Sequence, residues 1–167
     1  MYKNICLIGL PYSGKSYLGY RLSLTKKKNI IEKDKLLEDK FNCSIQEIIN
    51  ICGVNNFLKS ENIVGSKIQC QNKIISTGGS MVYNMEAMNH IKYNLSSKVI
   101  HLEISYDEFL NRIDNYDERG IINKFGLILN ELYLERIRLC NVYSNVTINC
   151  DDLDIGFKRL LNYKLYD

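Results

Sequence analysis

The stretch Asn4-Ile-Cys-Leu-Ile-Gly-Leu-Pro-Tyr-Ser-Gly-Lys-Ser16 restricts what this chain can fold into more than any other. Asn4 to Ile8 is a short apolar run that reads as a buried strand. Gly9, Gly14, Lys15 and Ser16 then match G-x-x-x-x-G-K-[ST], and Lys15 to Leu24 reads as a helix. Strand, glycine loop and helix in that order make a phosphate cradle. Glycines let backbone N–H groups turn inward around phosphate oxygens, and the helix N-terminus adds free donors and a favourable dipole. Lys15 is expected to reach the β- and γ-phosphates, and the Ser16 hydroxyl to ligate Mg²⁺.

The rest of the chain alternates between strand and helix. Asn29 to Glu32 is a second strand, followed by Leu36, Leu37 and Phe41 at helical spacing. Ser44 and Glu47 form a capping box for a helix that Gly53 stops, and a further helix runs from Asn55 to about Gln71. Lys73 to Thr77 is a third strand leading into Gly78-Gly79-Ser80, and Asn84 to Tyr93 is helical. Lys98 to Glu103 is a fourth strand. Ser105 and Glu108 make a second capping box, and the polar stretch Asp114 to Gly120 is a loop. A long helix is expected over Ile121 to Tyr143, a fifth strand over Asn145 to Asn149, and a last helix capped by Asp151 with Phe157, Leu160 and Leu161 on its apolar face.

This order predicts an α/β fold with a mostly parallel sheet covered by helices on both faces. Ligands of such sheets sit outside the carboxyl ends of the strands. The phosphate loop, Glu32 with Asp34, and Gly78-Gly79 should therefore meet in one cleft. Asp34 is the candidate to hold an acceptor hydroxyl and take its proton, and Glu32 to support hydrated Mg²⁺. Gly78-Gly79 is either a plain turn or a place where backbone approaches a ligand closely. Arg119, in the predicted loop, is placed to close over phosphates. Arg112, near a helix end, is suited equally to the surface and to the nucleotide. Arg136 and Arg138 point in different directions on one helix, so one of them could enter the cleft and clamp an anion.

The chain's 167 residues suit one domain, and 46% hydrophobic with 25% charged residues is the composition of an ordinary globular protein. With a net charge of only +3 and scattered basic residues, no nucleic-acid or membrane partner is expected. No apolar run has membrane-spanning length, and the start has no signal-peptide layout. Cys6, Cys43, Cys52, Cys70, Cys140 and Cys150 form no C-x-x-C pair, which suits reduced thiols in the cytoplasm. His90 and His101 are isolated, against a zinc site.

Taken together and in this order, these residues resemble the shikimate kinase family over almost the whole chain. The resemblance implies a three-layer P-loop kinase fold with a five-stranded parallel sheet, a helical substrate-binding insert over about 33–62 and a mobile lid over about 112–124, in one domain spanning 1–167. It implies transfer of the γ-phosphoryl of ATP to the 3-hydroxyl of shikimate, with Mg²⁺, by a cytoplasmic monomer whose partner is its small-molecule substrate. The nucleotide site is then Pro11, Tyr12, Ser13, Gly14, Lys15, Ser16 and Tyr17 with Arg112 and Arg119. Glu32-Lys33-Asp34 stands where the family has Asp-x-Asp, which gives Asp34 the shikimate hydroxyls. Gly78-Gly79-Ser80 stands for the family's three glycines, with Gly79 against the substrate. Arg119-Gly120-Ile121 stands for the lid's Arg-Pro-Leu, and the register to the last strand selects Arg136 for the acceptor. Gly53, Phe57 and Glu61 match a further family motif, but Leu58 replaces its arginine, which grips the substrate carboxylate. Loss of a bidentate contact costs a few kcal/mol. Three readings follow: a divergent shikimate kinase relying on Arg136, a kinase for another small hydroxylated molecule, or a nucleotide-binding protein that has lost catalysis.

Overall fold

The structure, a computed structural model, describes residues 2–113 and 121–163. Five parallel strands form its sheet: β1 (Asn4–Ile8), β2 (Ile30–Glu32), β3 (Ile74–Ser76), β4 (Ser97–Glu103) and β5 (Val146–Asn149), in the order β2-β3-β1-β4-β5. β1 lies at the centre, pairing with β3 from Ile5 opposite Ile74 and with β4 from Asn4 opposite Ser97. All five of its residues are buried, which is why this strand reads as a continuous apolar run without alternation. The helices are α1 (Lys15–Lys26), α2 (Lys33–Phe41), α3 (Ile45–Ser66), α4 (Met85–Asn89), α5 (Tyr106–Arg112), α6 (Leu129–Tyr143) and α7 (Leu153–Asn162).

Strand alternation sends neighbouring side chains to opposite faces, and the core divides accordingly. Ile5 and Leu7 of β1 pack with Leu18 and Leu22 of α1, Phe109 of α5 and Leu160 of α7. Cys6 and Ile8 pack with Ala87 and Met88 of α4 and Cys140 of α6 on the other face. A third cluster joins Leu37 of α2 to Ile48, Phe57 and Leu58 of α3 and to Ile122. The sheet, both covering layers and the β-strand positions match expectation to within a residue or two. Among the described residues no helix is long and apolar enough to cross a membrane.

Several local expectations are corrected by competing hydrogen bonds. Gly53 leaves helical geometry as predicted (φ 76, ψ 162), but the helix resumes at once, so α3 is one kinked element that ends at Ser66 rather than Gln71. The Ser44–Glu47 capping box is complete. The box expected at Ser105 is only half made. Ser105 caps Glu108, but the Ser105 N–H is taken by Asp151 Oδ1 at 2.7 Å, and Glu108 turns to Arg112. Asp151 is thereby engaged, and Asp152, not Asp151, caps α7 through the N–H groups of Asp154 and Ile155. The long helix begins at Leu129 instead of Ile121, because the Asn123 side chain binds both the Leu127 N–H (2.8 Å) and its carbonyl (2.7 Å) and holds a turn. The stretch predicted as helix from Asn84 to Tyr93 is α4 followed by a π-helical turn, His90–Asn94. The predicted loop Asp114 to Gly120 lies outside the described residues.

His101, fully buried on β4, gives this core a measurable pH dependence. Burial pushes its imidazole down to about 4, partly countered by its bond with Asn141. In the unfolded chain the ring takes up a proton near pH 6.5, so below that the unfolded state binds more protons than the folded one. Stability is therefore lost as pH falls from 6.5 towards 4, by an amount on the order of 2–3 kcal/mol for this group. His101→Gln should lose distinctly less stability than wild type across that window in denaturant titrations; equal losses would show that His101 does not govern it.

Candidate active site

Where β1, β2 and β3 end, a cleft of about 930 Å³ opens, lined by the loop after β1, Ser16, Asp34, Phe57, Gly78, Gly79, Arg112 and Arg136. The sequence motif at its floor has the backbone of an anion cradle. Gly9 has φ 154, and a Cβ there would lie 2.5 Å from the Leu102 carbonyl oxygen and 2.6 Å from Ser13 Oγ. Only glycine fits where the loop is pressed against β4. Tyr12 and Gly14 both take positive φ, 64° and 88°, which turns successive peptide planes before α1 begins. The first N–H groups of α1 have no partner within the helix and face the cleft end of the sheet. Ser13 Oγ is buried beneath the loop without a hydrogen-bond partner.

Lys15 lies over this loop, donating from Nζ to the carbonyls of Gly9 (3.1 Å) and Leu10 (2.6 Å). Burial pushes its ammonium down to about 8, an effect that facing Asp34 partly offsets and Arg136 reinforces. A buried cation short of counter-charge in a loop of inward donors suits a polyphosphate. Ser16 lines the cleft, as a ligand to a phosphate-bound cation must. Glu32 does not; it ends β2 opposite Ser76, outside the cleft wall. Among the described residues no group of three or more His, Cys, Asp or Glu could hold a metal. The donor set therefore suits Mg²⁺ carried on nucleotide phosphates, with one protein hydroxyl and water completing its shell.

Asp34, in the first turn of α2, faces Lys15 across the cleft with its side chain about half exposed. The glycine turn after β3 is shaped around it, since a Cβ at Gly78 would come 2.4 Å from Asp34 Oδ1. Gly79 lies against the Pro11 ring, 2.8 Å from its Cδ to where a Cβ would stand, and this joins the turn to the phosphate loop. Of the two helix arginines, Arg138 is exposed and Arg136 is buried in the cleft wall. Arg136 donates to the carbonyls of Gly79 and Ile122, its guanidinium lies 5.0 Å from the Tyr83 ring centre, and its Nε is buried without a hydrogen-bond partner among the described residues. Arg112 both lines the cleft and braces it, donating to the carbonyls of Tyr12 (3.0 Å), Cys150 (2.9 Å) and Asp151 (2.7 Å). Pro11, Tyr12 and Tyr17 line the rim. Arg119 lies outside the described residues.

Two charged residues have no role assigned from the sequence. Lys33 and Glu61 are both fully buried and paired with each other at the base of the acceptor side. Lys33 sits between two carboxylates in sequence, a pattern that otherwise reads as a solvated cluster, and Glu61 carried only a motif match. Leu58, where a substrate-gripping arginine was expected, is 7% exposed and packs with Leu37, Ile48, Phe57 and Ile122.

Gly78→Ala tests whether the turn is fitted to Asp34. The added methyl displaces the half-exposed Asp34 carboxylate and also presses on buried Glu61 Oε1 at 3.2 Å, so some thermal stability should be lost while the fold is kept. The displaced carboxylate should cost about tenfold or more in turnover, with ATP affinity in calorimetry unchanged. Unaltered turnover would mean that the position of Asp34 is not critical.

Comparison with known proteins identifies a family for this chain. The family model for shikimate kinase matches residues 11–160. A shikimate kinase of Clostridium botulinum (strain Okra / Type B1) is 32% identical over 167 residues, covering 97% of this chain and 96% of its own. The crystal structure of shikimate kinase from Aquifex aeolicus vf5 aligns with a TM-score of 0.76 at 26% identity, covering 95% of this chain and 94% of that one. Shikimate kinase from Acinetobacter baumannii, solved in complex with shikimate, aligns with a TM-score of 0.81 over 96% of this chain and 92% of that one; at 20% identity that likeness speaks for the fold.

Proposed function

This chain belongs to the shikimate kinase family, and from that premise we propose how its own residues perform ATP-dependent phosphorylation of shikimate. The observation that carries the reading is the opposition of Lys15 and Asp34 across one cleft, a cation on the phosphate side facing a carboxylate on the acceptor side. Phosphoryl transfer needs mainly positioning and charge neutralisation, and these two groups supply one of each. The loop from Pro11 to Ser16 holds the phosphates, and Tyr17 and Arg112 border the nucleotide. Lys15 leaves the Gly9 and Leu10 carbonyls for phosphate oxygens, and charge spreading over the transferring group lowers the energy of the transition state. Ser16 would help hold Mg²⁺ carried on the phosphates, which when bound would supply charge neutralisation there. Glu32, at the end of β2, would support the metal's waters rather than the metal itself.

On the acceptor side, Asp34 receives the hydroxyl proton and aims the oxygen at the γ-phosphorus. Gly78 and Gly79 bring backbone close to the substrate, and Arg136 takes its carboxylate, the unpartnered Nε giving the guanidinium a donor to spare. With Leu58 built into an apolar cluster, Arg136 carries that contact without the second arginine. On sequence grounds Arg119, within a lid of about 112–124, supports the transferring phosphoryl. The acceptor region of about 33–62 completes the single domain, 1–167. A reaction that consumes ATP suits the cytoplasm, and we take the chain to act as a monomer. Family membership favours shikimate over another hydroxylated acceptor and over an idle nucleotide binder.

The direct test is ADP release from MgATP with and without shikimate. Wild type should show shikimate-dependent release. Lys15→Ala should lose it by a factor on the order of a thousand, a loss typical for removal of a group that stabilises transition-state charge. Asp34→Asn should bind ATP normally yet turn over about a hundredfold or more slowly, the scale of a lost general base. Release indifferent to shikimate in wild type would sink the acceptor assignment. Collapse of ATP affinity in Asp34→Asn would move that residue to the metal.

A further inference from the structure

Lys33 opens α2, immediately before Asp34, and its side chain is wholly buried. Its Nζ contacts three groups of the acceptor side at once. It pairs with Glu61 of α3, donates to Asp34 Oδ1 at 3.3 Å, and lies 5.4 Å from the ring centre of Phe57, which lines the cleft. Glu61 in turn accepts from Ser80 Oγ (2.9 Å) and Asn84 Nδ2 (2.6 Å), so one buried carboxylate binds α2, α3 and the segment that follows the glycine turn. An ideal Cβ on Gly78 would lie 2.4 Å from Asp34 Oδ1 and 3.2 Å from Glu61 Oε1, so both carboxylates crowd the same glycine. Two anions so close repel unless a cation stands between them.

We propose that Lys33 is a positioning residue for the acceptor-side chemistry: anchored by Glu61, it fixes the Asp34 carboxylate over the glycine turn in the orientation that receives the acceptor hydroxyl. This rests on the role given to Asp34 above. Lys33 is wholly buried and does not line the cleft, so it acts on the acceptor through Asp34. It also supplies positive charge at the acceptor side of a chain in which position 58 carries leucine. A point charge on a flexible stem can bridge two carboxylates that a planar guanidinium would hold in one fixed geometry.

The decisive comparison separates charge balance from positioning. Lys33→Met leaves Glu61 buried without a cation and is expected to lower stability sharply, or to fail to fold. Lys33→Met/Glu61→Gln removes both charges; the Gln carbonyl can accept from Asn84 while its amide N–H donates to Ser80 Oγ, whose hydroxyl can turn to accept, so it should fold with a Tm near wild type. That double variant should bind MgATP as wild type does, with KM for ATP unchanged, yet show kcat reduced about tenfold or more because Asp34 is no longer held. Wild-type kcat in the double variant would overturn the inference and reduce Lys33 to a counterion of Glu61. Asp34→Asn is run beside it: a loss there with none in the double variant overturns only the role of Lys33, whereas no loss in Asp34→Asn overturns the role of Asp34 itself.

Discussion

The parallel pairing of β1 with β3 on one side and β4 on the other is the constraint on which the rest of the structure depends. A strand hydrogen-bonded along both edges and buried on both faces cannot shift register without exposing its apolar residues or breaking its ladder. Its carboxyl end is thus fixed, and the phosphate loop starts from that point. The loop is further confined because Gly9 runs so close to Leu102 of β4 that no side chain fits between them. Arg112 ties the Tyr12 carbonyl to the turn after β5, so the cradle is anchored to the far side of the sheet as well. Rigid scaffolding of this kind lets inward-facing N–H groups wait for phosphate without collapsing on themselves.

The acceptor side is held differently. It depends on charges placed inside the protein, where water cannot screen them. Glu61 and Lys33 offset each other's desolvation, and Ser80 and Asn84 complete the carboxylate's hydrogen bonds. Removing one member of such a pair costs about 3–5 kcal/mol, since the survivor is left buried and uncompensated. Arg136 is treated likewise: its terminal nitrogens are spent on the carbonyls of Gly79 and Ile122, which stitches α6 to the glycine turn. The nucleotide side is thus shaped by backbone, and the acceptor side by ionic side chains drawn from α2, α3 and α6.

Much of this was legible in the residues. The loop motif, the five strands and the two-faced sheet followed from apolar runs and glycine spacing, because β1 and its neighbours are buried enough for composition alone to mark them. The carboxyl-end rule places Lys15, Asp34 and Gly78 in one cleft, and they meet there. Element ends were less legible. Asp151 against Asp152 turned on a partner distant in sequence, Ser105, whose N–H Asp151 takes, whereas the start of α6 turned on a local side chain, Asn123, competing with the helix for Leu127.

The sequence by itself determined the fold, the phosphate chemistry and the identity of the carboxylate facing it, since each rests on local pattern: periodicity, glycine placement and the order of strand and helix. Only the tertiary structure decided that Arg136, selected by the register to the last strand, is buried in the cleft wall, that Leu58 belongs to an apolar cluster, and that Lys33 lies paired with Glu61 twenty-eight positions away. A charged residue looks the same in sequence whether water or protein surrounds it. Burial and pairing arise from contacts between segments, and these exist only once the chain has closed on itself.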